Sequence, residues 1–481
     1  MNIVSNADSF IFLFSGIGYS VAVKQRRTEM NSSFADKLMA FGMWVSNNKY
    51  LGAIRDAFME FMPFTIIGAI GTLWTSVIVN SSTGLGALIP AVMKLEFLNP
   101  VFSALNFATI GCISLAICFA IGMEIGKRNK MNGYYAGLIA LAGLICVVGA
   151  TTDPASVMGL NGAGEYNSFA AFVPGGIMLQ VLSSDVLGAG GLFTAMIVGI
   201  LTVEILGFFN KFDKLKIKLP DAVPPNIAAS FNALVPSTLT LLSVALLGWL
   251  VLTITGSTLQ SLVFNLVQVP LQKVGGSYIG GLVFVVIISI FWCFGLHGNN
   301  MVGSVLTPIM TAMLIENETA IKAGMAAPHI LNASFMSCFI TFVGTGIAGA
   351  ITIAIFLVGK REDNRAIAKL SAFPNCFNIN ETVVFGLPVV LNPIMCIGFI
   401  IAPVVSYTLA YVLTAIGFCP VMYVNVPWTT PPVLAGFLAS GGNIMGGLTQ
   451  LICLAAAVLV YIPCIKLYER QQNAQDAANN G

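Results

Sequence analysis

Glu381 is the last charged residue before a long uncharged stretch, and its surroundings are those of a binding group. No Asp, Glu, Lys or Arg occurs between Glu381 and Lys466. A carboxylate in an apolar segment costs on the order of 2.5–3.5 kcal/mol on insertion scales, so it is normally kept because something binds it. The amides of Asn375, Asn378 and Asn380 precede it. Amides and a carboxylate in an apolar frame suit a polyhydroxylated ligand, and a desolvated carboxylate suits a general base.

A second group of candidate residues lies at the end of an apolar run, in the sequence FWCFGLHGNN at Phe291–Asn300. His297 is one of two histidines in the whole chain, and Trp292 precedes it by five residues. An aromatic ring can stack on the apolar face of a sugar while an imidazole hydrogen-bonds its hydroxyls. Both residues are therefore predicted to bind ligand. Packing in the apolar core is the alternative for His297.

Trp428 is a third candidate, in the proline-rich sequence VPWTTPP at Val426–Pro432. It fits a sugar-stacking residue on a re-entrant loop and equally an aromatic residue of the membrane interface. Asn332 and His329 are weaker candidates, and packing or a loop contact is the better interpretation of His329. For Glu381 itself, the alternative is that it caps a helix at the water–lipid boundary.

Composition limits what can position these residues. Of 481 residues, 57% are hydrophobic and 9% are charged, against about 25% charged in a soluble domain. The chain is therefore predicted to be an all-α integral membrane protein with about ten transmembrane helices plus re-entrant hairpins. A net charge of +2 gives no reason to expect nucleic acid as a partner. Ten scattered cysteines without a CxxC pair, and two histidines, predict no disulfide, metal or cofactor.

The basic clusters and the proline pattern give an outline of the topology. The positive-inside rule places clusters such as Lys360–Lys369 and Lys466–Arg470, and both termini, in the cytoplasm. Met336–Leu357 is predicted to be one continuous span. Ser371–Pro393 and Asn425–Gly447 are too rich in proline, glycine and asparagine for ordinary spans, and such backbone is typical of transporter substrate sites.

In combination and in order, these motifs resemble the membrane subunit, enzyme IIC (EIIC), of phosphotransferase-system (PTS) sugar transporters, in the lactose/cellobiose/N,N′-diacetylchitobiose family. The matching segments are KLPDAVPPNIAASF at Lys218–Phe231, FWCFGLHG at Phe291–Gly298, FPNCFNINE at Phe373–Glu381, and PWTTPP at Pro427–Pro432. The resemblance spans Met30–Glu469. Thr382 departs from the family, which usually has proline there, and the first 29 residues are expected to lie outside the resemblance.

The resemblance implies a multi-pass permease of the bacterial plasma membrane. It would bind a β-linked disaccharide or short oligosaccharide and translocate it inward, coupled to phosphorylation of the 6-hydroxyl by a phosphocysteine on a separate IIB protein, itself charged through IIA. Glu381 would bind the 6-hydroxyl and accept its proton, and His297 would orient the same end of the sugar. The substrate-binding residues would be Trp292, His297, Asn332, Asn378, Asn380, Glu381 and Trp428.

The same resemblance implies a homodimer with a division of labour along the chain. Residues 1–29 would be an extension, 30–218 an N-terminal transmembrane half that forms the dimer interface, 219–466 the sugar-binding transport half, and 467–481 a cytoplasmic tail. An ion-coupled sugar symporter with Glu381 as proton carrier is the alternative function. A structural or sensory membrane protein is a third, and retained sugar binding after loss of Glu381 and His297 would favour it.

Overall fold

The computed structural model describes most of the chain. The described residues are 40, 44, 48–81, 85–86, 89–149, 170–173, 177–180, 182, 184–217, 219–220, 223–387 and 389–479. The predicted extension at residues 1–29 lies outside them.

Long apolar helices make up the N-terminal part of the described chain. The first helix begins after Asn48, whose side chain accepts hydrogen bonds from the amides of Tyr50 and Leu51 and so caps the helix. In chain order the helices are α1 Lys49–Leu73, α2 Asn99–Thr109, α3 Ile113–Arg128, α4 Gly133–Gly149, α5 Ser184–Leu187 and α6 Leu192–Phe209. A short antiparallel hairpin, β1 Ala170–Val173 with β2 Ile177–Gln180, is the exception to the predicted all-α fold.

The remaining helices include several short ones between long ones. They are α7 Pro225–Thr255, α8 Leu259–Val263, α9 Val269–Gly275, α10 Tyr278–Cys293, α11 Gly298–Lys322, α12 Ala333–Phe339, α13 Ala348–Val358, α14 Glu362–Cys376, α15 Glu381–Gly386, α16 Pro393–Ala415, α17 Leu434–Ala439 and α18 Ile444–Asn479. The six-residue helices α15 and α17 fall in the two segments predicted to be broken.

Several of these helices are long and apolar enough to cross a bilayer. In the described ranges they are Lys49–Ile78, Pro90–Arg128, Ala189–Phe209, Ile227–Thr255, Pro393–Ala415 and Ile444–Ala478. A pair bent by 73°, Leu259–Gly275 with Tyr278–Cys293, adds a seventh if it is one span. This confirms a helical, multi-pass membrane protein. The predicted number of about ten spans stays a prediction.

The predicted continuous span Met336–Leu357 is wrong. Helix α12 ends at Phe339 and α13 begins at Ala348, and the intervening residues 340–347 form a buried loop. Gly346 has φ of +74°, and a Cβ there would lie 2.2 Å from Phe399. The Tyr461 hydroxyl donates to the Gly346 carbonyl at 2.6 Å. The break is held by residues distant in sequence, so the local apolar pattern does not reveal it.

The described hydrophobic residues pack into two clusters. The first core is formed by buried residues between Ala53 and Ile315, and the second core by buried residues between Val285 and Tyr468. Helix α11 contributes to both, because Ile309 belongs to the first core and Met310 to the second. Trp292 belongs to the second core, so the candidate site lies on that side of α11.

Candidate functional site

His297 sits on the turn between α10 and α11. It is the residue that caps α11, and its Nδ1 accepts a hydrogen bond from the Asn300 amide at 3.4 Å. Its ring centroid lies 4.7 Å from that of Trp292, with the planes inclined by 50°. Trp292 is 4% exposed, and its indole Nε1 has no hydrogen-bond partner among the described residues. The turn therefore holds an imidazole against an indole whose N–H is free to donate.

The loop at residues 340–347 joins this turn to the segment that carries Glu381. The Thr345 hydroxyl accepts a hydrogen bond from Asn299 Nδ2 at 3.2 Å. The Thr345 carbonyl accepts one from Asn380 Nδ2 at 3.3 Å. Thr345 thus bridges residues adjacent to His297 and to Glu381, which are far apart in the sequence.

Asn378 links the same loop to the Trp428 segment. Its side-chain oxygen accepts from the Val343 amide at 2.5 Å, and its Nδ2 donates to the Trp428 carbonyl. Asn378 itself has φ of +64°, in the left-handed region that asparagine tolerates better than most residues. One carboxamide therefore fixes two loops, and the indole of Trp428 remains 49% exposed beside them.

Glu381 lies in the first turn of the short helix α15. Its Oε2 accepts a hydrogen bond from the Asn380 amide at 3.1 Å, and its charge acts on the His297 imidazole. The side chain is exposed and makes no ion pair within the described part of the chain. The helix N-terminus favours the carboxylate. An unpaired acid beside an imidazole is thus available to a ligand.

Asn332 is not brought into this group. It is 0% exposed and caps α12 through hydrogen bonds from the amides of Ser334 and Phe335, both at 3.0 Å. Its Nδ2 donates to the Met422 carbonyl at 2.9 Å. His329 Nε2 contacts Glu316 Oε2 at 2.5 Å, which links the segment after α11 to α11 itself. The structure therefore gives Asn332 and His329 structural contacts.

Sequence reasoning missed Thr345 and the loop that carries it. The available signal was the run Val343-Gly344-Thr345-Gly346, two glycines around a hydroxyl inside an apparently continuous span. Asn299, whose Nδ2 donates to the Thr345 hydroxyl, is another contact residue that the sequence did not single out by itself. Its Oδ1 is buried without a partner among the described residues. A buried acceptor of this kind is normally satisfied by a partner.

We call Trp292, His297, Thr345, Asn378, Asn380, Glu381 and Trp428 the site cluster. Its members come from four chain segments, and each lies at or near a break between helices. Irregular backbone at membrane depth is tolerated where it lines a cavity or is packed in protein. Interrupted helices that carry amides, an imidazole and a carboxylate are typical of helical membrane transporters.

Comparison with known proteins specifies the family. Residues 13–403 match the family model described as "Phosphotransferase system, EIIC". The chain is 32% identical over 434 residues to the oligo-beta-mannoside-specific EIIC component of Bacillus subtilis (strain 168), covering 90% of this chain and 92% of that protein. It is 31% identical over 450 residues to the cellobiose-specific EIIC component of Geobacillus stearothermophilus, covering 92% and 95%.

A solved structure agrees with these sequences. The chain superimposes with a TM-score of 0.80 and 28% identity on the transporter ChbC, the IIC component from the N,N′-diacetylchitobiose-specific phosphotransferase system. The match covers 94% of this chain and 99% of that one. The protein belongs to the phosphotransferase-system EIIC family.

Proposed function

We propose that this chain is a PTS permease that takes up a β-linked disaccharide or short oligosaccharide and delivers it for phosphorylation on the 6-hydroxyl. The site cluster carries the proposal, because it joins aromatic rings, an imidazole and an unpaired carboxylate through Thr345. The relatives named for oligo-β-mannoside, cellobiose and N,N′-diacetylchitobiose support the β-linked class.

The roles of the site residues follow from the groups on each side chain that have no partner or have further hydrogen-bonding capacity. Glu381, without an ion pair in the described chain, binds the 6-hydroxyl and accepts its proton. His297 orients the same hydroxyl, the half-exposed Trp428 stacks on a sugar ring, and the buried Trp292 supports His297 and offers its indole N–H to the sugar. Asn378 and Asn380 hold the loops through the hydrogen bonds described above. The remaining donor and acceptor capacity of their side-chain amides binds sugar hydroxyls.

Asn332 has a more distant role in this proposal. Its carboxamide is fully engaged in capping α12 and in holding the Met422 carbonyl. It therefore positions the start of α12 and through it the loop at residues 340–347. Direct contact with the sugar would require these hydrogen bonds to break, which costs about 1–3 kcal/mol for each group left buried and unpaired.

The phosphoryl donor belongs to a partner. The 6-hydroxyl oxygen attacks the phosphorus of a phosphocysteine on a IIB protein, the P–S bond breaks, and the cysteine leaves as thiolate. The hydroxyl proton passes to Glu381. A IIA protein recharges IIB. Ten cysteines are present in this chain, but the one exposed in the described part, Cys376, lies in α14 rather than in a phosphate-binding loop.

The remaining topology belongs to the same proposal. About ten spans place both termini in the cytoplasm of a bacterial cell, and the basic clusters near Lys127 and Lys360 support that orientation. Residues 30–218 form the interface of a homodimer, 219–466 the transport half, and 467–481 a cytoplasmic tail. The separate first core supports a scaffold role for the N-terminal helices.

Reconstituted vesicles test the proposal. Purified protein with IIB, IIA and their phosphoryl source is supplied with radiolabelled cellobiose, N,N′-diacetylchitobiose or an oligo-β-mannoside. We expect sugar phosphate to accumulate, for at least one of these sugars, only when phosphorylated IIB is present on the cytoplasmic face. Accumulation of unmodified sugar driven by a proton gradient without IIB would overturn the proposal and favour an ion-coupled symporter.

A further inference from the structure

Two thiols from different helices meet directly behind the site cluster. Cys293 ends α10, one residue after Trp292, and Cys396 lies in the first turn of α16. Cys293 Sγ is 3.8 Å from the Cys396 carbonyl oxygen, and Cys396 Sγ is 4.0 Å from the Cys293 carbonyl oxygen. The pairing is tertiary, because 103 residues separate them.

The surroundings of the pair allow chemistry as well as packing. Cys293 is 6% exposed, whereas Cys396 is half-buried. The thiolate is the reactive form of cysteine, and a helix N-terminus such as that of α16 favours it. Each sulfur lies no more than 4.0 Å from the other residue's carbonyl oxygen, so the two side chains share one small space, and a disulfide requires the sulfurs to approach to about 2.05 Å. Cys396 is thus the accessible thiol and Cys293 the adjacent one that resolves it.

A bond between these sulfurs would act on the turn that carries His297. The Leu391 amide already donates to the Cys293 carbonyl at 2.9 Å, so the segment before α16 lies against the end of α10. A disulfide would add a covalent link between α10 and α16 to this backbone contact. Trp292 and His297 would then lose their freedom to move relative to α16.

We propose that Cys293 and Cys396 are a redox-sensitive thiol pair, which a hydroperoxide converts into a disulfide that stops sugar transport until it is reduced. The Cys396 thiolate attacks the peroxide, the O–O bond breaks, and a sulfenic acid and one water form. Cys293 then attacks that sulfur, releasing the second water. Overall two thiols are oxidised by two electrons and one hydrogen peroxide is reduced to two waters.

The disulfide is tested on the full chain in membranes. After treatment with hydrogen peroxide, free thiols are alkylated and the protein is digested without reductant. Mass spectrometry is expected to show the Cys293 and Cys396 peptides joined, and dithiothreitol to separate them. Absence of that cross-link in the wild-type protein, or a different cysteine pair in its place, overturns the proposal irrespective of transport.

The effect on transport rests on the proposed function and has its own readout. Peroxide, applied to the vesicles and removed before IIB is added because IIB carries its own reactive cysteine, is expected to abolish most sugar uptake by the wild type, with recovery in dithiothreitol. Cys396→Ser is expected to keep its uptake under peroxide, whereas Cys376→Ser, which removes an exposed thiol in α14, is expected to lose uptake as the wild type does. Equal inactivation of Cys396→Ser and the wild type would overturn the proposal.

Discussion

Charges are treated in opposite ways in the two regions of this molecule. Around the first core they are paired: Lys49 with Glu204, Arg128 with both Asp56 and Glu124. In the site cluster Glu381 has no ion pair within the described residues, and its neighbours are amides already bound to backbone groups. Paired charges fix a scaffold, whereas an unpaired acid in fixed surroundings is available to a substrate.

Backbone strain separates the same two regions. Non-glycine residues with positive φ in the described chain are Lys130, Val343, Ile347, Asn378, Leu391 and Val433. Apart from Lys130, all lie in loops around the second core. Such conformations cost of order 1–3 kcal/mol each and persist where the surrounding packing enforces them. The second core therefore uses packing energy to hold irregular loops in place.

Loss of the unpaired acid should have the largest effect. Glu381→Gln keeps the size and most hydrogen bonds but removes the proton acceptor, so we expect sugar phosphorylation to fall by about 10²–10⁴-fold. The rate is measured in vesicles supplied with phosphorylated IIB. Glu362→Gln, an exposed acid in the first turn of α14, is the matched control and should keep its rate. Equal phosphorylation rates in the two variants would contradict a special role for Glu381.

Adding a methyl group inside the loop at residues 340–347 should have the second largest effect. In Gly346→Ala the new Cβ lies 2.2 Å from the Phe399 ring at φ of +74°, so we expect a loss of about 2–5 kcal/mol in the free energy of unfolding. Gly256→Ala is the control, with φ of +67° and nothing within 4 Å, and should cost about 1–2 kcal/mol. Thermal unfolding in detergent compares them, and equal shifts would contradict a packed loop.

The contact between the two regions should matter less. Lys322 Nζ donates to Glu318 Oε1 and to Asn106 Oδ1, each at 2.6 Å, and Glu318 is 3% exposed. Lys322→Met leaves that carboxylate with Asn106 and Thr72 alone. We expect the free energy of unfolding to fall by about 1–3 kcal/mol.

The control for this variant is Lys369→Met. Lys369 is exposed on α14 and makes no ion pair within the part of the chain that the structure describes. Its midpoint of thermal unfolding should remain at the wild-type value. A fall as large as that of Lys322→Met would mean that any lost lysine destabilises the protein, and that the contact between α11 and α2 has no special weight.

An exposed ion pair outside both cores should have the smallest effect. The Arg361 guanidinium beside Asp363 holds the pKa of that carboxyl below its usual value of 3.8. Because the folded-state pKa is lowered, the stabilisation is present above pH 3.8 and fades as the pH falls through the folded value. Asp363→Asn should slightly lower the unfolding temperature at neutral pH and remove this acid-side decline. An unchanged pH profile would contradict the pairing.

Much of the architecture follows from the sequence alone. Its apolar composition requires lipid as solvent, and lipid requires backbone groups to be satisfied within helices. Glu381 is conspicuous for the same reason, since a charge in an apolar stretch is costly unless it has a use. The interruptions in Ser371–Pro393 and Asn425–Gly447 can also be predicted from the sequence, because proline and glycine disturb the helix at the position where they occur.

Tertiary structure alone decided how the site is held. Nothing local distinguishes Asn332, which caps α12, from Asn380, which reaches Thr345, because an amide's partner depends on what folds against it. The loop at residues 340–347 reads as helix, and it exists because Phe399 and Tyr461 from distant helices occupy and bind it. Sequence thus determined which groups are chemically unusual, and packing determined which of them meet.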